Sequence, residues 1–174
     1  ARDDAWGGSD FTFGDVTLRK PKHDNHELLG KTKFAGCLGV MKDVKRNKYT
    51  QKANIVADCS TDGKEVYKLK STANTANWWY DHRISLIDAK TFADYRTEYF
   101  KGGKHIKTID RSWVSANLDD PRASYWGYWY GKTNTTGHET MAFIPSTITK
   151  VNHKYKKKNL WSTTTLKKMP KKIK

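Results

Sequence analysis

Aromatic side chains must supply much of any core that this chain builds. Apolar residues make up only 36% of its 174 residues, whereas aromatic residues alone reach 13%. A chain of this length is of single-domain size and buries roughly two-thirds of its surface on folding. Tryptophan and tyrosine have polar edges that suit interfaces as well as cores. The composition therefore predicts one domain with a modest, largely aromatic core.

Charge is the second constraint on this chain. The formal net charge is +15, from 33 Lys and Arg residues against 18 Asp and Glu residues. Such a surface attracts phosphates, anionic lipid or an acidic protein, and the charge alone does not choose among them. No stretch approaches the roughly 20 apolar residues of a membrane-spanning helix. We expect a soluble or peripheral protein, and its start at Ala1 fits a processed mature form.

The predicted organisation is a single domain with two arms. Residues 1–30 show little periodicity, which predicts an extended arm with one short strand over residues 11–18. Residues 31–151 form the core, and the tail at 152–174 is rich in lysine and has no acidic residue. The predicted fold class is mainly β or α+β, with a small β-rich core, one helix and long extended N- and C-terminal arms.

The helix is predicted over residues 84–100. Ile84, Ile87, Thr91 and Tyr95 recur at intervals of three or four residues, and Gly102-Gly103 would end the helix. Two strands also fit this stretch.

Strands are predicted in several other places. The segments 34–41 and 53–57 read as the opening of a β-meander, and Asp62-Gly63 signals a hairpin turn before Val66. The aromatic run at 125–130 has strand propensity, and residues 108–118 fit a strand or a short helix.

No motif in the sequence predicts catalysis, a metal site or a cofactor. Cys37 and Cys59 are too few for a disulfide framework or a four-ligand zinc site. We therefore favour unpaired thiols over a disulfide between them, although their redox state is left open. Asp119 and Asp120 precede Pro121, a setting more typical of a turn than of an acid–base pair. The protein is predicted not to be an enzyme and to have no small-molecule substrate.

The strongest local feature is an aromatic run between basic residues. Aromatic residues that alternate with basic ones can stack on nucleic acid bases, but in a strand they also face both sides, as an interface requires. We favour a protein interface. Its predicted residues are Trp113, Asp119, Asp120, Pro121, Tyr125, Trp126, Tyr128, Trp129, Tyr130 and Pro145.

The basic tail is predicted to contact a polyanion or an acidic protein. RNA and anionic lipid are both possible partners for it, since each neutralises lysines in the same way. The residues predicted to make these contacts are Lys154, Lys156, Lys157, Lys158, Lys167, Lys168, Lys171 and Lys172.

Three ordered segments resemble NDUFA12-like accessory subunits of mitochondrial respiratory complex I. Trp113 followed by Asp119-Asp120-Pro121 is similar to a tryptophan and acidic-proline turn of that family. The other two segments are similar to an opening glycine-rich pattern and to a late proline-containing pattern. Their matching residues are Gly36, Gly39, Val40, Asp43, Asn47, Lys48 and Tyr49, and then Gly137, Glu139, Phe143, Ile144, Pro145, Ser146 and Thr147.

The resemblance implies a function that composition alone does not. It implies a non-catalytic structural subunit on the matrix side of the mitochondrial inner membrane, without a cofactor and with other subunits of a large complex as partners. Its small core and extended arms would stabilise assembly. One alternative is an RNA-binding component of a mitochondrial ribosome. A second is a secreted basic protein with a Cys37–Cys59 disulfide and a glycosylated Asn134.

Overall fold

Seven β-strands make up almost half of the part of the chain that the structure describes. The computed structural model describes residues 4–17, 19–40, 57–144 and 162–168. Its short helices are α1 (Phe13–Val16) and α2 (Thr163–Lys168), with 3-10 helices at Trp6–Gly8 and Pro21–His23. The strands are β1 (Asp24–Lys33), β2 (Glu65–Ala73), β3 (His82–Asp88), β4 (Asp94–Lys101), β5 (Lys104–Ser115), β6 (Ser124–Thr133) and β7 (His138–Phe143).

The strands form one antiparallel sheet in the order in which they occur in the chain. Each strand pairs with the next, as Arg111 of β5 does with Trp129 of β6. The turn between β4 and β5 consists of Gly102 and Gly103, whose φ angles are 54° and 71°. Two successive positive φ angles match the twist of a tight hairpin, and glycine adopts them without steric cost. Gly102-Gly103 therefore joins two strands and does not end a helix.

The predicted helix over residues 84–100 is wrong, because this stretch forms β3, a turn and β4. In β4 the buried side chains are Tyr95, Thr97 and Tyr99, and the residues between them are less buried. Burial at every second residue is the period of a β-strand and not of a helix. The alternative of two strands describes this stretch.

The turn between β3 and β4 explains why the spacing of three or four residues wrongly predicted a helix. Asp88 Oδ1 accepts hydrogen bonds from the backbone N–H groups of Lys90 (2.9 Å) and Thr91 (2.7 Å). The Tyr95 hydroxyl donates to Asp88 Oδ2 at 2.7 Å. Because Asp88 closes a turn around Thr91, the apparent periodicity spans two separate strands.

The described part of residues 1–30 does not form an extended arm. Residues 24–33 are β1, which pairs with β2 along its whole length. The predicted strand over residues 11–18 is also wrong, because residues 13–16 are α1. Thr12 caps this helix: its hydroxyl accepts from the Asp15 N–H, and the Asp15 carboxylate accepts from the Thr12 N–H. This reciprocal cap favours a helical turn over a strand.

The core is divided into two clusters on opposite faces of the sheet. One cluster contains Phe34, Leu38, Val66, Ala93 and Tyr95. The other contains Phe11, Tyr80, Tyr99 and Ile109. Each cluster is closed by chain segments from outside the sheet.

A disulfide between Cys37 and Cys59 fastens the cover on the first face. It corrects our preference for unpaired thiols. We call residues 34–40 and 57–61 the clasp, and the sheet face beneath them the clasp face. The clasp is pinned at its middle, where the backbones of Leu38 and Asp58 exchange hydrogen bonds of 2.8 and 3.0 Å.

The Asp62-Gly63 turn forms, but it does not connect the strands expected from the sequence. Gly63 has a φ of 76°, and its N–H donates to the Phe34 carbonyl at 2.9 Å. The turn leads into β2, which pairs with β1, the strand that precedes the clasp in the chain. The second half of the predicted meander opening, at 53–57, lies outside the described residues except for Ala57.

The predicted fold class is therefore wrong. The chain forms a seven-stranded antiparallel sheet with almost no helix in the described residues. The low apolar content had suggested a small core with long free arms. Instead, aromatic residues bury both faces of a broad sheet, and the N-terminal segment packs onto one of them.

Candidate functional site

A cavity of about 390 Å³ lies between the N-terminal segment and the sheet face opposite the clasp. We call residues 9–17 the strap, and the sheet face beneath it the strap face. The strap contributes Asp15, Val16 and Thr17 to the cavity wall. A neighbouring cleft of about 400 Å³ is lined largely by exposed residues of the loop before β3. The cavity under the strap is the candidate site, because buried polar groups line it.

Asp10 anchors the first end of the strap to the last hairpin of the sheet. Its carboxylate accepts hydrogen bonds from the hydroxyls of Thr133 and Thr140, each at 2.6 Å. His138 Nδ1 lies 2.8 Å from the same carboxylate. The Asp10 side chain is almost fully buried. One strap residue thus joins β6 and β7.

Close contact with β6 and one ion pair hold the rest of the strap. Phe11 lies so near Gly131 that a Cβ added there would be 2.9 Å from Phe11 Cε1. Farther along, the Lys107 ammonium forms an ion pair with the Asp15 carboxylate, and both side chains are buried. A glycine in β6 therefore sets how closely the strap approaches.

Aromatic rings form much of the cavity wall. Trp79 stacks on Tyr99 with 4.8 Å between ring centroids, and the edge-to-face pair of Trp79 and Tyr80 is separated by 4.6 Å. Trp129 and Trp113 also line the cavity. Rings in such arrangements attract one another beyond the burial of their area. The aromatic part of the wall is therefore apolar and fixed by contacts between rings.

Arg111 places a buried positive charge in this aromatic wall. Its Nη1 lies 2.9 Å from Asp94 Oδ2 and donates to Thr97 Oγ1 at 3.1 Å. The guanidinium also covers the Trp129 ring at 4.4 Å from the centroid. An arginine held this way offers charge at a fixed position.

Arg19 and Arg83, which also line the cavity, share the carboxylate of Asp24. Arg19 forms two bonds to Asp24, from Nε at 2.9 Å and from Nη2 at 2.7 Å. Arg83 reaches the same side chain only through Nη2, at 3.2 Å. Asp24 is 1% exposed, so this pairing takes place away from water.

Cations outnumber carboxylates around the cavity. The negative charge around the cavity is weakened further at Asp94. Burial raises the pKa of Asp94 above its ordinary value, even though Arg111 and Arg83 act to lower that pKa. The charged groups that line the cavity or pair with its lining are the cations Arg19, Arg83, Arg111 and Lys107 and the carboxylates Asp15, Asp24 and Asp94.

Three buried N–H groups of the cavity lining have no hydrogen-bond partner among the described residues. They are Arg83 Nε, Trp79 Nε1 and Trp129 Nε1. Leaving such a group unpaired costs about 1–3 kcal/mol, and native proteins tolerate few of them. Their presence in one cavity indicates a place prepared for hydrogen-bond acceptors.

The structure separates the predicted interface residues. Trp113 and Trp129 line the cavity, and Trp126 lies 5.3 Å from Trp129. Tyr128 and Tyr130 belong to the other side of β6, where Tyr128 donates to the Leu38 carbonyl at 2.9 Å. Tyr130 donates to Glu139, whereas Tyr125 pairs with Val114 in the ladder. The run therefore serves both faces.

The other predicted interface residues lie in the loop between β5 and β6 or beyond the described residues. Asp119, Asp120 and Pro121 are exposed in that loop, and Asp120 pairs with Arg122 at 2.8 Å. Pro145 is outside the described residues. A role of any of these residues in contacting a partner stays a prediction.

Most of the predicted basic contact residues also lie outside the described part. Lys167 and Lys168 belong to α2, and Lys167 is exposed. Those outside are Lys154, Lys156, Lys157, Lys158, Lys171 and Lys172.

Sequence reasoning missed most of the cavity. Arg19, Arg83, Arg111, Trp79 and Tyr99 come from four separate parts of the chain, and none belongs to a motif. The one local signal is in β5, where Lys107, Ile109, Arg111 and Trp113 alternate with other residues and so share a side of the strand. The positive charges of Lys107 and Arg111 indicate a binding site only when the strap is known to cover this side of β5.

The described residues contain neither a cluster suited to a metal ion nor a membrane-spanning helix. No group of three or more His, Cys, Asp or Glu residues there could hold a metal ion. None of the helices found in that part of the chain has the length and apolarity to span a membrane.

Solved structures share this fold at low sequence identity. A domain described as an outer membrane lipoprotein-sorting protein, from Vibrio parahaemolyticus, is 15% identical with a TM-score of 0.58, and the match covers 91% of this chain and 57% of that one. A DUF1329 family protein from Desulfovibrio piger is 10% identical with a TM-score of 0.57, covering 92% and 57%. The chain thus spans less than two thirds of either protein. No protein-family model and no curated protein matches the sequence.

These findings overturn the resemblance to complex I accessory subunits. The fold is a broad antiparallel sheet like that of the two bacterial proteins, not a small core with draped arms. The three matching segments contain mostly Gly, Asp and Pro, which mark turns in any β-rich chain. Trp113, for example, lies within β5, and Asp119-Asp120-Pro121 lies in the loop after it.

The functional predictions that depended on the resemblance are wrong as well. They were a structural role in complex I, a location on the matrix side of the mitochondrial inner membrane, and other subunits of a large complex as partners. The alternatives, an RNA-binding ribosomal component and a secreted basic protein, are contradicted by the same fold likeness.

Proposed function

We propose that this protein is a non-enzymatic carrier that holds a lipid-like ligand in the cavity under the strap. The observation that carries the proposal is the cavity itself: about 390 Å³ of space walled by stacked aromatic rings. Pockets for small ligands fall between about 300 and 1,000 Å³ and are mostly apolar with a few placed polar groups. The strap cavity has that character.

The fold likeness supports a ligand of this class. A protein of similar fold is described as an outer membrane lipoprotein-sorting protein. At 15% identity the likeness concerns the fold, so the ligand class for this chain is argued from its own cavity.

The side chains around the cavity support binding rather than catalysis. Its carboxylates are engaged in ion pairs, Asp15 with Lys107 and Asp94 with Arg111. Catalysis by a nucleophile or a general base needs a group free to exchange a proton with the substrate. Rigid aromatic walls and fixed guanidinium groups suit a carrier.

Val16 offers a direct test. It lies in α1, lines the cavity and is 45% exposed, so Val16→Trp should narrow the cavity without disturbing the core. We expect this variant to bind dansyl-undecanoic acid about tenfold more weakly, which is about 1.4 kcal/mol. The measurement is a fluorescence titration of the full chain.

Phe13→Trp is the matched control. Phe13 lies in the same helix and is 48% exposed, but it does not line the cavity. Its affinity should stay within about twofold of the unaltered chain. The proposal fails if the unaltered chain shows no saturable binding, or if the two variants lose affinity equally.

A further inference from the structure

Arg83 has a donor that the folded chain leaves unused. A guanidinium group carries five N–H donors in a fixed fork and has no acceptor. Only Arg83 Nη2 bonds to Asp24, at 3.2 Å, while the buried Nε has no partner among the described residues. Asp24 is occupied mainly by Arg19, which holds it with two shorter bonds.

Two indole N–H groups in the same cavity also lack a hydrogen-bond acceptor among the described residues. Trp79 Nε1 and Trp129 Nε1 are buried without a partner, and an indole N–H can only donate. Neither can pair with an arginine. The Tyr80 hydroxyl and Asp15 Oδ1 of the same lining are also unpaired in the described part of the chain, but donors outnumber acceptors there, so a ligand with acceptor atoms suits the cavity.

The charge around the cavity favours an anion as that group. Asp24 is the carboxylate partner of both Arg19 and Arg83, so these two guanidinium groups carry one more charge than that carboxylate balances. Arg111 lines the same cavity and is paired with Asp94. In a low-dielectric site an uncompensated positive charge attracts an anion more strongly than it does in water.

We propose that the cavity binds the anionic end of its ligand, a carboxylate or a phosphate, through Arg83 and the indole N–H groups of Trp79 and Trp129. The inference rests on the proposed carrier function and specifies which ligands the carrier selects. The apolar part of the ligand would lie against the aromatic wall formed by Trp79 and Tyr99. The bound anion would complete hydrogen bonds that the folded chain leaves open.

The test compares ligands with one tail and different heads. Laurate, dodecyl phosphate and dodecanol are titrated into the full chain by calorimetry, with inorganic phosphate as a probe of the head alone. We expect laurate or dodecyl phosphate to bind at least about tenfold more tightly than dodecanol, because only an anion engages the donors. The tighter of the two identifies the head group, and saturable binding of inorganic phosphate would indicate a phosphate site that needs no tail.

The outcomes separate this inference from the proposed function. Equal affinity for laurate, dodecyl phosphate and dodecanol overturns the inference and leaves the carrier function standing. If no dodecyl compound binds, both fail. Preference for dodecanol over either anion also overturns the inference.

Arg83→Gln assigns the preference to the cavity. It should reduce laurate affinity about tenfold and leave dodecanol affinity unchanged, while Arg122→Gln should change neither. Arg122 is a suitable control because it pairs with Asp120 in an exposed loop. If Arg83→Gln does not fold by circular dichroism, Arg83→Lys replaces it, since lysine keeps the charge and loses the fork. An unchanged ratio of laurate to dodecanol affinity in a folded variant contradicts the assignment.

Discussion

The two faces of the sheet are covered in different ways. On the clasp face, Asp110 accepts from Arg96 Nε and Nη2 at 2.7 and 2.8 Å and from the Gly39 N–H at 2.9 Å. On the strap face, Arg83 and Trp129 keep buried N–H groups without partners. A satisfied carboxylate under a disulfide-linked cover stabilises the fold. A cover held by hydrogen bonds and one ion pair over unsatisfied donors leaves capacity to bind.

The strap and the clasp have different expected roles, although their sequences share two features. Both the strap and the clasp are glycine-containing segments with one buried phenylalanine, Phe11 or Phe34. Only the clasp is covalently closed. We therefore expect the clasp to respond to mutation as part of the core and the strap to respond as a local, movable element.

The largest effect should come from the two phenylalanines. Each is 1% exposed, but Phe34 packs against Tyr95 and under Arg96 in the fixed clasp. Phe34→Ala should lower the free energy of unfolding by about 3–5 kcal/mol, since the clasp cannot collapse into the space left. Phe11→Ala should cost less and should mainly speed hydrogen exchange in the strap. Urea unfolding and exchange measurements test this, and equal losses of stability would remove the distinction between the covers.

The disulfide should have the next largest effect. Cys37 and Cys59 are 22 residues apart, and replacing both with serine should lower the free energy of unfolding by about 3 kcal/mol. Binding of dansyl-undecanoic acid should be unchanged at a temperature where the variant is folded, because the cavity is on the opposite face. Thermal melts and the same titration are the measurements. Lost binding in a folded variant would show that the clasp also shapes the cavity.

The smallest effect should be the opposite response of the two faces to acid. Burial alone would raise the pKa of Asp58, but hydrogen bonds from Ser60 and Ser112 outweigh it and hold the pKa below its ordinary value of 3.8. The stability from Asp58 is therefore present above pH 3.8 and lost as the pH falls through the folded-state pKa. Burial raises the pKa of Asp94, so its contribution is present below pH 3.8 and lost as the pH rises through its folded-state pKa.

Melting temperatures between pH 2 and 7 distinguish these contributions. Asp58→Asn should flatten the acid side of the stability profile. Asp94→Asn should steepen it, because it removes a contribution that favours the folded chain in acid. Parallel profiles for the two variants would show that the faces do not differ electrostatically.

Part of the fold could be predicted from local patterns. The aromatic run became β6 with side chains on both faces, because alternation is an intrinsic property of a strand. The helix over 84–100 failed because a spacing of three or four residues also arises when a turn at Asp88 separates two strands. Turn residues without obvious glycine or proline are hard to recognise in one sequence.

The cavity could not be predicted in the same way. Its arginines lie near Lys20, in β3 and in β5, and the strap that closes it contacts β6 and β7 more than 100 residues later. The Cys37–Cys59 disulfide could not be predicted either, because the positions of two cysteines in a sequence do not give their separation in space. Long-range contacts of this kind follow from the register of the sheet, which no local motif records.

The order of the strands also sets the order in which they can form. Strands β2 to β7 pair across short connections, whereas β1 and β2 meet only when residues 34–64 are looped out, with Lys33 opposite Glu65. Longer loops close more slowly, so β1 should dock last while the cysteines are reduced. Formation of the disulfide shortens that loop and should bring this step forward. Until then β2 is an open sheet edge, the form of this chain most prone to associate with other copies of itself.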